Sequence, residues 1–269
     1  MTGTAQPDRT TDLSHGDRGP VPTDSRGVLV SPAELPPLPD AAIADPAAGH
    51  LDPRAWFPRP DLPFEIEIGS GKGTFLVQQA ARAPEVNFLG IEWAREFAFA
   101  SADRLRRWRD RAATHTNVRV LAGNAVDFIS WRVPGAIVRT IHLYFSDPWP
   151  KNKHHKNRVV QHRFLAQAWR VLEPGGELRV VTDHAELWAW DMEHFDAWTS
   201  PRGWDLLREN LRATETPTSG HGGAPFALLP FDRPESAGPG ELVGSNFERK
   251  FRKEGRSFHA ATLRKNPPA

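Results

Sequence analysis

Phe64-Glu65-Ile66-Glu67-Ile68 runs directly into Gly69-Ser70-Gly71-Lys72-Gly73, and this junction restricts the possible folds more than any other part of the chain. A short strand-like run that ends in three alternate glycines and is followed by a helical pattern over about 74–83 describes a strand turning tightly into a helix. The glycines supply the turn and let backbone approach a ligand closely. In open α/β sheets that turn lies at the carboxyl edge of the strands, where nucleotide-like ligands bind. Further strand-like runs at 87–92, 118–122, 140–145 and 177–182 alternate with helical patterns at about 94–111 and 161–172. The alternation predicts a mostly parallel sheet covered by helices on both faces.

Composition sets the limits of this sheet. A chain of 269 residues, 39% hydrophobic and 25% charged, has apolar material for one core of roughly 200 residues. The first 55 residues contain no Phe, Tyr or Trp, and the first 60 carry 11 of the 25 prolines. That composition predicts a disordered or loosely attached extension over 1–55, followed by one domain over 56–269. Within the domain, 214–244 is rich in Gly and Pro and reads as an ordered or mobile insert, and the basic stretch 245–265 as a last edge strand. Residues 1–55 carry a net charge of −4 and the remainder +5, which permits an acidic partner without requiring one. No apolar run approaches the roughly 20 residues of a membrane span. Asp8, Asp12 and Asp17 stand where a signal peptide needs a basic and then an apolar region, so a cytoplasmic protein is expected. The absence of cysteine excludes disulfides, thiolate metal sites and thiolate nucleophiles.

The ligand of the glycine turn is narrowed by its neighbours. A P-loop needs Gly where the chain has Ile66 and Ser or Thr where it has Gly73, and a dinucleotide fingerprint wants Gly or Ala at Thr74. The pattern, GxGxG preceded by an acid, resembles instead the first motif of S-adenosylmethionine methyltransferases. A cofactor with a cationic sulfonium and ammonium suits Glu67, and it has no pyrophosphate that would demand a helix N-terminus. Glu92 closes the next strand about 20 residues on, where an acid accepts from ribose hydroxyls; a solvated strand-end glutamate is the alternative. Asn124 stands where an acceptor meets the adenine amino group, and an ordinary turn asparagine fits it nearly as well. Glu173-Pro174-Gly175-Gly176 is a helix stop and turn leading into a strand.

A second concentration of chemistry lies at Ser146-Asp147-Pro148-Trp149-Pro150, which puts a carboxylate and an indole at the end of the fourth strand. An aromatic face beside a hydrogen-bonding group can stack an extruded base and grip its polar edge. Lys151, Lys153, Lys156 and Arg158 follow with no acid among them; at this edge they read as a phosphate-contacting surface, with a solvated basic loop as the alternative. His154 and His155 are adjacent and without nearby acids, so no metal site is expected.

Taken together, EIGSGKG, FLGIE, FSDPWPKNKHHKNRVVQ, LEPGG and VVTDH resemble, in order and spacing, the bacterial tRNA (guanine-N7-)-methyltransferases. The resemblance covers about 64–193 and a block near Ser245. It implies a Rossmann-like class I methyltransferase fold with a mostly parallel seven-stranded sheet, S-adenosylmethionine as cofactor and tRNA as partner. Glu67, Gly69, Gly71, Gly73, Glu92, Asn124 and Asp147 would line the cofactor site, with Asp147 also catalytic. The RNA would meet Lys151, Lys153, His154, His155, Lys156 and Arg158, and its guanosine would meet Lys151, Asp183 and the block Ser245, Asn246, Phe247 and Glu248. The family usually has Asp at position 124 and Thr at 245.

Guanine N7 carries an in-plane lone pair and no proton, so methylation there needs orientation and charge management but no general base. On this scheme Asp147 favours the positive charge developing on the base, and Asp183 accepts from the guanine N1–H and amino group. Three other readings remain. Asp-Pro-Trp is similar to the Asp/Asn-Pro-Pro-aromatic motif of amino-group methyltransferases acting on adenine or cytosine; a nicotinamide-dependent dehydrogenase ranks below it because of Thr74; and a non-catalytic RNA-binding module could sit on the same fold. Carbon-5 pyrimidine methylation through a thiolate is excluded.

Overall fold

In the computed structural model, which describes residues 25–209 and 223–267, the strand–helix alternation becomes one eight-stranded sheet. Its strands are β1 (Leu29–Val30), β2 (Phe64–Ile68), β3 (Asn87–Glu92), β4 (Val118–Ala122), β5 (Val138–Tyr144), β6 (Leu172–Thr182), β7 (Phe226–Leu229) and β8 (His259–Lys265). The order is β1-β4-β3-β2-β5-β6-β8-β7. The first six strands run parallel, and β8 is antiparallel to both β6 and β7. Among the described residues seven α-helices pack around the sheet: α1 (Thr74–Arg82), α2 (Arg95–Ala112), α3 (Ala125–Arg132), α4 (His162–Val171), α5 (Ala185–Thr199), α6 (Pro201–Arg208) and α7 (Asn246–Lys253). This is the Rossmann-like, mostly parallel class I arrangement, with one strand more than the expected seven because β1 joins the edge of β4. Among the described residues no helix is long and apolar enough to cross a membrane.

The periodicities explain the layers. In β2, β5 and β6 alternate residues Ile66, Ile68, Ile141, Leu143, Leu178 and Val180 are buried against Phe164, Leu165, Phe195 and Trp198 of α4 and α5. On the opposite face Phe88, Val118 and Val120 pack with Leu76, Ala98, Ala102 and Leu105 of α1 and α2. Both stripes are fully buried, and each large side chain so placed stabilises by roughly 1.5–3 kcal/mol.

The N-terminal segment corrects an expectation. Residues 1–24 lie outside the described residues, but 25–55 are ordered and docked rather than loosely attached. Prolines open three of the four 3₁₀ turns in this segment: Pro32–Glu34, Pro46–Gly49 and Pro53–Trp56. Ser31, Asp45 and Asp52 cap them by accepting from backbone N–H groups. Fixed proline φ angles lower the entropy that docking must overcome, so few apolar anchors suffice. Val30, Leu35 and Leu51 provide them. The end of α3 adds polar ties: Arg132 donates to the Pro36 carbonyl at 2.6 Å, and its own carbonyl accepts from Leu51 at 2.7 Å. The C-terminal expectation also shifts. Of the insert, 214–222 lies outside the described residues, whereas 226–229 form β7; this makes β8 an interior strand and β7 the edge. The basic stretch expected to be a strand alone also contains the helix α7.

Candidate active site

The glycine turn closes as its residue types require. Gly69, Gly71 and Gly73 have φ of +73°, +53° and +68°, the left-handed region that disfavours side chains. At Gly73 a Cβ would also collide with the Ser101 hydroxyl of α2. The Gly69 N–H donates to the Ile91 carbonyl at 2.8 Å, and the Gly71 N–H to Glu92 Oε2 at 2.7 Å; Glu92 Oε1 accepts from Ala94 at 2.8 Å. Glu92 therefore buckles the turn to the end of β3, and both of its oxygens are engaged by backbone.

Beside it, Glu67 is buried and its Oε2 has no hydrogen-bond partner. Burial, and then the nearby Glu92 carboxylate, push its pKa up to about 8. A carboxyl so shifted is largely protonated near neutral pH, and its ionised form needs a cation beside it. A sulfonium and ammonium group answers that need, so these residues fit S-adenosylmethionine. Asn124 behaves differently from the expected adenine contact: it is the N-cap of α3, and its Oδ1 accepts from the N–H groups of Val126 at 2.9 Å and Asp127 at 3.2 Å. The turn reading of Asn124 describes what the structure shows.

Asp147 is exposed at the carboxyl edge, just beyond β5. It stands between two non-glycine residues with positive φ, Phe145 at +56° and Trp149 at +44°. Backbone strain of this kind costs about 1–3 kcal/mol per residue and gathers where a side chain must be aimed. Phe145 is held by its N–H to the Val181 carbonyl at 2.7 Å and by ring contacts with Phe251 and Phe258. Trp149 lies against the His154 ring, with centroids 5.8 Å apart, and so packs its own loop.

The basic run is a 3₁₀ segment, Asn152–Asn157, with Lys151 at its N-cap; Lys151, Lys153 and Lys156 are exposed and His154 and His155 half-buried. Arg158 departs from the expectation of an RNA contact. It is 2% exposed, its Nε donates to the Pro148 carbonyl at 3.0 Å, and its Nη2 donates to Glu186 Oε1 at 2.6 Å. The guanidinium also stacks over Trp190 at 5.1 Å. The exposed cations of this segment are therefore lysines without arginine. Among the described residues no group of three or more His, Cys, Asp or Glu is placed to hold a metal ion.

The C-terminal block also reads differently in three dimensions. Ser245 Oγ caps α7 by accepting from the Glu248 N–H at 3.0 Å. Glu248 is fully buried, accepts from the N–H groups of Leu242, Val243 and Gly244, and pairs with Arg252 at 2.6 Å. Neither side chain presents itself to RNA; their S-x-x-E spacing is that of a capped helix start, a signal available in the sequence. Asn246 and Phe247 do remain exposed. Asp183 is paired with Arg256 at 2.6 Å, so a guanine would have to compete for it. Sequence reasoning missed the role of α7 as a roof: Phe247 approaches Gly71, Phe251 touches both Phe247 and Phe145, and the helix thus spans the edge from the glycine turn to the Asp147 strand.

Comparison with known proteins follows the same lines. A family profile described as "Putative methyltransferase" matches residues 61–218. The tRNA (guanine-N(7)-)-methyltransferase of Nitrobacter hamburgensis is 37% identical over 159 residues, 58% of this chain and 59% of that protein. The enzyme of the same name from Rhodopirellula baltica is 35% identical over 179 residues, 59% of this chain and 64% of that protein. That of Geobacillus thermodenitrificans is 39% identical over 132 residues, 49% of this chain and 58% of that protein. The chain thus matches about three-fifths of the length of these curated relatives.

Proposed function

Since the chain belongs to the methyltransferase family whose profile covers residues 61–218, we propose that it transfers a methyl group from S-adenosylmethionine to N7 of a guanosine in tRNA. The observation that carries this reading is the pairing of an unpartnered buried carboxylate, Glu67, with the glycine turn on the same sheet edge as Asp147. The cofactor, when bound, supplies an electrophilic methyl group. Glu67 and the glycine turn receive its cationic end, and Glu92 keeps the turn in the shape that admits it. Asp147 orients the guanine edge and offsets the positive charge that appears on the base as the lone pair of N7 is used. Lys151, Lys153 and Lys156 hold the phosphates of the RNA, and a tRNA substrate places the activity in the cytoplasm.

The test is transfer of labelled methyl to unmodified bulk tRNA, followed by nucleoside analysis. Label in 7-methylguanosine is the expected result; label in methylated adenosine or cytidine, or none despite cofactor binding, overturns the reading. Asp147→Asn should lower turnover by at least about 100-fold with cofactor binding intact, the scale on which a preorganised electrostatic group acts. Charge reversal at Lys151, Lys153 and Lys156 should weaken tRNA binding and make its logarithmic salt dependence shallower, by roughly 0.7–0.9 for each phosphate that the protein no longer neutralises.

A further inference from the structure

We propose that Arg158 is a positioning residue of the methyl-transfer site, holding the Asp147-Pro148-Trp149 turn and the lysine segment in one fixed relation to α5. The proposal rests on the reading given above. Arg158 comes last in a run of basic residues, where charge alone would assign it to phosphate, yet it is the one cation of the run that is withdrawn from solvent. Each face of its guanidinium region has a use. Nε reaches back ten residues to the Pro148 carbonyl, the residue that follows Asp147; Nη2 reaches forward to Glu186 in the first turn of α5; the plane covers the Trp190 ring. The backbone at the same residue is tied as well, with its N–H donating to the His155 carbonyl at 3.0 Å and its carbonyl accepting from Gln161 Nε2 at 2.5 Å. Gln161 Nε2 also donates to the Lys156 carbonyl at 2.9 Å, and His155 Nε2 lies 3.3 Å from Glu186 Oε1, so the C-terminal end of the lysine segment converges on this point.

The geometry has a mechanical reason. Trp149 has a positive φ and follows Pro148, so the turn that aims Asp147 is strained and would relax if nothing held its carbonyl. Pro148 cannot donate a backbone hydrogen bond, which leaves its carbonyl as the available backbone handle at that residue. A planar fork can bind that carbonyl and a carboxylate at once; a lysine ammonium cannot reproduce the two directions. The same anchor sets how far the exposed lysines stand from Asp147, so phosphate gripping and base presentation share one support.

The experiment compares wild type with Arg158→Lys, Arg158→Gln and Glu186→Gln, using unmodified tRNA, and reads kcat, KM, the salt dependence of tRNA binding, and amide exchange of residues 151–157. Arg158→Lys keeps the charge and should lower kcat by at least about tenfold while leaving the salt slope and the cofactor Kd as in wild type, because a small misplacement of the reacting groups slows transfer far more than one weakened hydrogen bond does. Glu186→Gln, at an exposed position, should lower kcat in the same sense by about two- to threefold, since a charge-assisted bond becomes a neutral one. Amide exchange of 151–157 should quicken in Arg158→Lys and Glu186→Gln alike. A shallower salt slope with unchanged kcat in the charge-removing Arg158→Gln would return Arg158 to the phosphate surface, and unchanged kcat in Arg158→Lys would overturn the proposal. So would unchanged exchange in 151–157, a readout that holds even if wild type methylates no tRNA and the functional reading itself falls.

Discussion

On one face of β2, β5 and β6 the inward residues are Ile66, Ile68, Ile141, Leu143, Leu178 and Val180; on the other they are Glu65, Glu67, Thr140, His142, Tyr144, Glu177 and Arg179. Both faces are largely buried, and they are stabilised by different physics. The first removes hydrocarbon from water and is indifferent to direction. The second is stable only where each polar group has found its complement. Two glutamates two residues apart show the difference. Burial pushes the Glu65 pKa up, but the His142 Nε2 bond at 2.8 Å and the Arg139 guanidinium outweigh it and hold Glu65 well below the usual carboxylate range. His142 in turn meets the Tyr144 hydroxyl at 2.7 Å through Nδ1. Glu67, under the same sheet, has no such set of partners and is pushed up to about 8. Glu65 is thus satisfied by the framework around it, whereas Glu67 keeps an unsatisfied carboxylate oxygen.

The contrast can be broken or sharpened by substitution. On the apolar face, Phe164→Ala should cost about 3–5 kcal/mol of stability, read as a lowered denaturant midpoint, while the specific activity of the remaining folded protein stays the same. Reduced specific activity would show that the two faces are not independent. On the polar face, Glu67→Gln should act in opposite senses on stability and function. A carboxyl whose folded pKa is raised favours the folded state fully below its unfolded value of 4.5, and that contribution is lost as pH rises towards about 8. Glu67→Gln should therefore stabilise the ligand-free protein at pH 8 by about 1–3 kcal/mol. It should also weaken S-adenosylmethionine binding by about tenfold or more, measured by calorimetry. An unchanged slope of stability against pH in that variant would place the charge elsewhere. The smallest effect belongs to Tyr144→Phe, which removes one hydroxyl from a satisfied network and should cost about 1 kcal/mol with cofactor affinity unaltered.

Local patterns in the sequence reach as far as local causes do. The strands at 64–68, 87–92 and 118–122 and the glycine turn follow from periodicity and from the demand for positive φ, and their limits agree closely with the structure. Helices α3 and α5, by contrast, fall outside the stretches where the sequence predicts helices. Residue types alone also do not distinguish side chains that face a ligand from those that face the protein. Arg158, Ser245 and Glu248 have the chemistry of RNA contacts but are directed inward, by Glu186, by the α7 backbone and by the 242–244 amides respectively. Asn124 has the chemistry of an adenine contact and serves a helix start. Residues 25–55 lack aromatic anchors, yet proline turns and arginine-to-carbonyl bonds dock them, a mechanism that hydrophobic counting does not register.

The two-residue strand β1 has a consequence out of proportion to its length. It pairs with β4, and that pairing occupies the hydrogen-bonding rim that β4 would otherwise offer to any extended chain nearby. Trimming the chain to begin near Trp56 would uncover that stretch of β4 and would also take Val28 and Val30 out of the apolar layers.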